Sequence, residues 1–469
     1  MLELASMSCS SWLEAVRRCA FTSILIGFAG TAITMSFAQT DASAWSRVPD
    51  ILSRIVPPTF PDSDFRITDY GAVGDGVTDC TAAFQNAIAA CNGAGGGRVV
   101  VPTGTYFTGA IHLLSDVNLY ISANAVIRFS TNSNAYLPVV FTRHECTEVM
   151  SYSPFIYAFQ QTNVAITGEG IIDGQGPSGP WPQWVSSGLE SQDTAALVDM
   201  GNNDVSVDQR IFGAGHYLRP NFIQPFRCRN VLIEGVTFSN SPMWVLNPVY
   251  CTNVTIQRVK VNINTSLFSA NSDGCDPDSS TDVLIRDCTF NDGDDCIAIK
   301  SGRDRDGRRV NIPSQNIVVQ NCKFQAGHGG VTAGSETAAG ITNVFVENCA
   351  FDSASLQYAM RFKTCAQRGG YISDFYIRNC IVKTAQVGIH ATMLYCAGGT
   401  NIPVVHNIDI RDCAFLGLTS RPVLLQGYSS SNRITDVNII NCRFGTAPFG
   451  NSFSNTNRIN RINSRGGGV

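Results

Sequence analysis

Nine times along the chain an asparagine or aspartate stands directly before a short apolar or alternating run: Asn163, Asn230, Asn253, Asp282, Asn316, Asn343, Asp374, Asn407 and Asp436. From Asn230 onward the intervals are 23, 29, 34, 27, 31, 33 and 29 residues. In the last six copies a cysteine follows six positions after the marker: Cys288, Cys322, Cys349, Cys380, Cys413 and Cys442. A fixed interior position with variable lengths between copies is what stacked coils require, since each coil meets only its neighbours and its loops are free to grow. Leucine-rich and helical repeats share this period. The units here lack L-x-x-L-x-L and any ten-residue helical pattern, and are β-branched runs broken by Gly, Asn and Asp. The expected fold is therefore all-β, a right-handed parallel β-helix with three short strands per turn and asparagines at the corners, where they tolerate left-handed backbone.

Composition agrees with a core-rich, turn-dense β protein: 44% apolar, 15% charged and 42 glycines in 469 residues. The net charge of −4 and the lack of a basic stripe argue against nucleic acid as a partner. Seventeen cysteines would suggest a disulfide framework, but one per repeat suits a buried thiol stack better. Cys80 and Cys91 lie eleven apart on an expected helix, about 16 Å, too far to bond. No C-x-x-C occurs, which leaves little basis for a zinc site.

The chain divides into four expected parts. Residues 1–38 read as a secretory leader, with Arg17-Arg18, the apolar run Phe21 to Phe37 and a small-residue cleavage site at Ala38. The membrane anchor is the rival reading, and Met7 is an alternative start. Residues 39–63, with Pro49, Pro57, Pro58 and Pro61, read as a linker. Residues 64–445 form the β-helix, headed by a capping helix that Asp79 or Thr81 starts and that carries Phe84, Ala87, Ile88 and Cys91 on one face. Residues 446–469 are expected to be a loose tail.

Chemistry concentrates between Asn271 and Gly302, a stretch with eight aspartates. Residues one coil apart stack at strand spacing, about 4.8 Å. Asp273 precedes Asp294 by 21 residues, and Asp294 and His328 share the offset of twelve from their markers. Arg361 and Lys363 follow His328 by 33 and 35 residues, again near one coil, and point to one face. Asp273, Asp294 or Asp295, His328, Arg361 and Lys363 should then share a face on successive coils. One carboxyl can protonate a glycosidic oxygen while another handles water, and crowding of like charges raises one pKa. Taken singly, an acidic pair is more often a solvated turn, a histidine between glycines a turn residue, and Arg-x-Lys a solvent face. Aspartates 273–278 could alternatively hold Ca²⁺.

Four segments in order, Asn271-Ser-Asp-Gly, Gly293-Asp-Asp-Cys, Gly327-His-Gly and Arg361-Phe-Lys, resemble the signature motifs of the polygalacturonases, glycoside hydrolase family 28. The opening DYGAVGDGVTD also resembles pectin-degrading β-helix enzymes of the pectin-lyase-like solenoid type, and the likeness covers roughly residues 65–445. It implies hydrolysis of α-1,4-galacturonosidic bonds in a pectic polysaccharide or oligogalacturonide, with inversion. Asp294 would be the general acid, Asp273 and Asp295 would activate water, and His328 would support the acid. Arg361 and Lys363 would bind the uronate carboxylate, with Asn271 and Tyr395 at the substrate. No metal and no cofactor would be needed. Ser272 and Phe362 depart from the usual Thr and Ile. Keeping Arg-x-Lys favours galacturonan over a rhamnogalacturonan backbone. The segments DPDSSTDVLI, IKSGRDRDGRR and Gly334-Ser-Glu look like bacterial exo-acting members, and the insertion 174–226 could close one end of the cleft. The expected protein is a secreted monomer, extracellular or periplasmic and off the membrane after processing. Rivals are another pectic hydrolase of the same fold, a Ca²⁺-dependent pectate lyase and a non-catalytic β-helix.

Overall fold

The computed structural model describes residues 44–466; the expected leader, with Met1 or Met7 as its start, lies outside the described residues. Strands wind into a right-handed parallel β-helix, the hand that parallel crossovers adopt. One sheet of 13 strands runs the length of the molecule, from Asp64–Arg66 to Thr456–Ile462. A second sheet has 16 strands, and a third face is built by shorter strands and single bridges. An antiparallel pair, Val140–His144 with Thr147–Ser151, interrupts the parallel rule.

Inward columns carry the core. Val99, Leu119, Ile166, Ile233, Ile256, Ile285, Val319, Val346, Ile377, Ile410 and Ile439 follow one another in register and are all buried. The repeat cysteines, Cys288 to Cys442, form a parallel column of free, buried thiols. Burial pushes Cys322 and Cys349 well above the ordinary thiol range, so they are inert apolar packing. At the corners every marker residue has positive φ, from Asn163 at 55° to Asp436 at 58°. Their side chains form a ladder: Asn230 donates to Asn163 at 2.8 Å, Asn253 to Asn230 at 2.7 Å and Asn316 to Asp282 at 3.0 Å. The αL corner and its amide ladder are thus one device, since the amide satisfies the polar group that the turn exposes.

The helix Thr81–Gly93 covers the first coil with Ala83, Phe84, Ala87, Ile88 and Cys91 buried. Neither Asp79 nor Thr81 is its cap, which is Cys80 without a side-chain hydrogen bond; Asp79, one residue earlier, accepts from the Thr81 N–H at 2.8 Å. Cys80 and Cys91 are both free.

Two segments depart from expectation. The stretch 39–63 is not simply a linker: Arg47–Arg54 is a helix, with Val48 and Ile51 buried. Together with Trp45 it covers Leu284, Val318, Phe345 and Tyr376, an apolar stripe on the outer surface of the 13-stranded sheet. Trp45 meets the Phe345 ring edge-on at 5.2 Å, Arg378 sits 3.7 Å over Trp45, and Arg54 pairs with Asp282 at 2.7 Å. An outer stripe of four large apolar groups needs a cover, and the helix supplies it. The tail expected from 446 is not loose throughout either, because Ser452–Ser454 and Thr456–Ile462 add a further coil. In it Arg461 stands where other coils carry an inward apolar residue, while Ile459 continues the Val437 column.

Candidate active site

The third face sets the positions of the acids. Cys275, Ile297, Val331 and Met360 pair in sequence along it, and two residues before each lie Asp273, Asp295, Gly329 and Tyr358. Asp273 therefore stacks on Asp295, one residue from the expected partner Asp294, and the Asp295 carbonyl accepts from the Gly274 N–H at 3.0 Å. Asp294 and His328 do share the adjoining column: the His328 N–H donates to the Asp294 carbonyl at 2.7 Å, and Nδ1 lies 2.9 Å from Asp294 Oδ1. One oxygen from each of Asp273, Asp294 and Asp295 falls within 4.8 Å of the others.

Arg361 and Lys363 are on the coil next to that of His328, as their spacing suggested, but not directly above it. The His328 carbonyl accepts from the Tyr358 N–H at 3.0 Å, and Arg361 pairs with Thr332, several positions further along the strand. Phe324 pairs with Phe351 but Gly329 pairs with Tyr358, so two extra residues around the turn Ser353–Leu356 take up part of the offset. The long side chains reach back. Arg361 Nη1 is 3.2 Å from Asp295 Oδ1, and Lys363 Nζ is 2.6 Å from Oδ2. Gly329 makes the meeting possible: a Cβ there would stand 2.6 Å from Asp295 Oδ1 and 2.1 Å from the Thr332 hydroxyl. Gly327, at φ +141°, likewise has the Asp294 carbonyl 2.4 Å from where its Cβ would be. The glycines flanking His328 therefore provide close approach.

Burial and charge divide the acids. Asp273 is pushed well up by burial and by the neighbouring Asp294, with Lys300 at 3.8 Å drawing it back. Burial acts on Asp295 in the same direction, but Lys363, Arg361 and Lys300 outweigh it and hold the carboxyl at about 2. At an effective dielectric near 20 a unit pair about 3 Å apart gains roughly 5 kcal/mol, comparable to the several kcal/mol needed to bury each ion. Two cations on one acid tip that balance toward ionised; one distant cation does not. The Asp294 side chain keeps 18% of its exposure, against 0% for Asp295. His328 is raised from its ordinary value, first by its hydrogen bond to Asp294.

Around the acids lies a cleft of about 540 Å³ whose lining includes Asn271, Lys300, Arg303, Glu336, Arg368 and Tyr395. Lys300 lines the cleft beside Asp273, and sequence reasoning did not single it out. It is 3.1 Å from Glu336, 3.9 Å from Asp276 and 4.9 Å over the Trp244 ring. Its signal was its place in the same column as Lys363, visible only once the register is known. Asn271 accepts from Arg219 at 2.6 Å, and Arg219 pairs with Glu190 on the helix Leu189–Asn202. The insertion thus reaches the site through a chain of buried contacts. Ser272 takes the Gly293 N–H at 3.0 Å, and Phe362 packs edge-on against Phe375 in the core. Tyr395 holds its ring over Lys363 at 5.0 Å and Arg361 at 5.7 Å.

The 273–278 run does not converge on a cation: Asp278 pairs with buried Arg143 at 2.7 Å, away from Asp273. The Asp273–Asp294–Asp295 set is tight enough for one, yet Lys300, Lys363 and Arg361 already neutralise two of its three members. This donor set does not fit a resident divalent ion.

Residues 91–423 match the family described as glycosyl hydrolases family 28. A probable polygalacturonase of Vitis vinifera is 33% identical over 364 residues, covering 74% of this chain and 67% of its own length. An exo-poly-alpha-D-galacturonosidase of Dickeya chrysanthemi is 28% identical, covering 79% of this chain and 63% of its own, so the chain spans about two thirds of these relatives. The crystal structure of an exopolygalacturonase from Thermotoga maritima superposes with a TM-score of 0.81 at 34% identity, over 89% of this chain and 96% of that one.

Proposed function

Because the chain belongs to glycosyl hydrolase family 28, and so is an O-glycosyl hydrolase, we propose that it cleaves α-1,4-galacturonosidic bonds of polygalacturonate from a chain end. The observation that carries the reading is the meeting of three carboxylates, each differently placed, beside Arg361, Lys363 and Lys300 in one cleft. Asp294, the most exposed of the three, delivers to the leaving glycosidic oxygen a proton that it shares with the His328 imidazolium across their 2.9 Å contact. Asp295, kept ionised, takes the proton of the attacking water, and Asp273, held neutral by burial and by Asp294, keeps that water in place by hydrogen bond. The proton lost through Asp294 is replaced from solvent as the water proton leaves by way of Asp295, so the cycle closes. Arg361 and Lys363 share their charge between Asp295 and the incoming uronate carboxylate, while Asn271 and Tyr395 line the sugar's path.

Exo action is supported by the helices Trp181–Ser186 and Leu189–Asn202, which line a neighbouring hollow that shares Glu145, Asn271 and Arg303 with the cleft. Exo-acting names among the relatives point the same way. Secretion is supported by the leader pattern and by the Cys365–Cys396 disulfide, a bond suited to an oxidising compartment. A monomer suffices, since one chain supplies every group named.

One observation favours a second stereochemical reading. Oxygens within 4.8 Å resemble the gap of about 5 Å between carboxyls in retaining glycosidases, shorter than the roughly 6.5–9.5 Å typical of inverting ones. Inversion here requires that two acids hold the water from one side. Proton NMR of the first products from polygalacturonic acid distinguishes the readings. The β-anomer is expected first; an α-anomer first would establish retention, and unsaturated products absorbing in the ultraviolet would establish a lyase. Viscosity followed against reducing-end release tests the mode: a fast fall at low hydrolysis would mean endo action.

A further inference from the structure

Tyr395 presents a puzzle of support. Its side chain is 45% exposed and stands beyond the end of the strand Ile381–Thr392, in a run where Leu394 and residues 397–402 are also exposed. Yet the ring is set over both Arg361 and Lys363. The tyrosine's backbone N–H donates to the Thr364 carbonyl at 3.1 Å, and the Asn401 N–H donates to the Ala366 carbonyl at 2.9 Å. Between these two contacts lies a covalent one, the disulfide from Cys396 to Cys365.

The two ends of that bond differ. Cys365 is fully buried, two positions past Lys363, on a turn that is held hard. Arg308 donates to the carbonyls of Gln367 and Arg368 at 2.8 Å each, and Arg368 pairs with Asp304 at 2.6 Å and Glu336 at 3.3 Å. Cys396 sits on the exposed run next to Tyr395. The other thirteen cysteines among the described residues are free and buried, so this is the disulfide found there, and it joins the cleft's buried rim to its exposed one, which two backbone hydrogen bonds otherwise hold.

We propose that the Cys365–Cys396 bond is a positioning device for sugar binding: it fixes Tyr395 over the Arg361–Lys363 pair, so that an acidic sugar meets a preformed wall of one ring and two cations. The inference rests on the reading of Tyr395 as a substrate contact. An untethered loop would lose conformational freedom on each binding event, and the bond removes most of that loss in advance. A change in binding without a change in chemistry is the expected signature.

The test compares Cys396→Ser, Tyr395→Ala and the double variant on oligogalacturonates, with and without dithiothreitol. The reductant gives two electrons and two protons to the disulfide, leaving two thiols, and closes to its own cyclic disulfide. Each single variant is expected to raise KM about tenfold with kcat within about twofold, and the double variant to be no worse than Tyr395→Ala. Dithiothreitol should reproduce the Cys396→Ser effect in the wild type and leave Cys396→Ser itself unmoved. If Tyr395→Ala raises KM and Cys396→Ser does not, the tether is refuted while the contact stands. If Tyr395→Ala leaves KM unmoved, the contact fails and takes the proposal with it. A Cys396→Ser loss confined to kcat with a lowered unfolding temperature would show a merely structural bond.

Discussion

The cysteine column and the acid cluster are both buried rows built on the same coils, and they obey opposite rules. From Cys288 to Cys442 one thiol occupies each coil at one register position, each donating to the carbonyl two residues before it, as Cys322 does to Gln320 at 3.4 Å. Two earlier coils carry Val236 and Val259 in the same column, so it tolerates any small apolar group. The acids tolerate nothing of the kind. Asp295 is as buried as any of the thiols, and ionised only because Lys363 and Arg361 converge on it from two coils away. A regular coil stacks identical groups. Unlike groups meet at one point here because long side chains span the coils, as those of Arg361 and Lys363 do to reach Asp295.

The sharpest way to break the contrast is Asp294→Asn, which should lower kcat about a thousandfold while circular dichroism and unfolding temperature stay near wild type. Lys363→Met comes next. It strands an anion, and urea titration should show a stability loss of about 3 kcal/mol. The sign follows from the depressed carboxyl: Asp295 at about 2 against an ordinary 3.8 stabilises the fold above about pH 4, and that contribution fades as pH falls through about 2. Lys363→Met should therefore move acid unfolding to higher pH. On the other side of the comparison, Cys349→Val should cost under about 1 kcal/mol in the same titration, because it only copies what Val259 does.

A smaller effect concerns His328, whose imidazolium persists above its ordinary 6.5 because Asp294 accepts its hydrogen bond. The alkaline limb of kcat/KM should lie above pH 6.5, and His328→Gln should remove that ionisation from the profile. The smallest is expected to be nil: EDTA should leave the rate within about twofold, since lysine and arginine supply the positive charge that a cation would bring.

The sequence made the winding legible because marker, apolar run and cysteine report a register directly, and register is local. The pairing of Asp294 with His328 followed from equal offsets. Of the two aspartates left open it is Asp295 that lies level with Asp273, and Arg361 with Lys363 stand on the expected coil but several positions along it, because coil length alone does not say which side of a corner takes an extra residue. Lys300 stayed hidden for the same reason. The covering helix Arg47–Arg54 was masked by the prolines around it, although Leu284, Val318, Phe345 and Tyr376 all recur two positions after their markers. The final coil was harder to read because Arg458 replaces the Asn or Asp marker and Arg461 interrupts the inward apolar column.

That final coil has a consequence for molecules in a crowd. A solenoid that stopped at Ile439 would offer the next molecule an open row of peptide groups above an apolar floor, an invitation to end-on polymerisation. Arg461, in register with Ile439, puts a guanidinium in that row, so a second molecule laid end-on would have to bury a charge there. The winding that builds the enzyme is thereby discouraged from building a fibre.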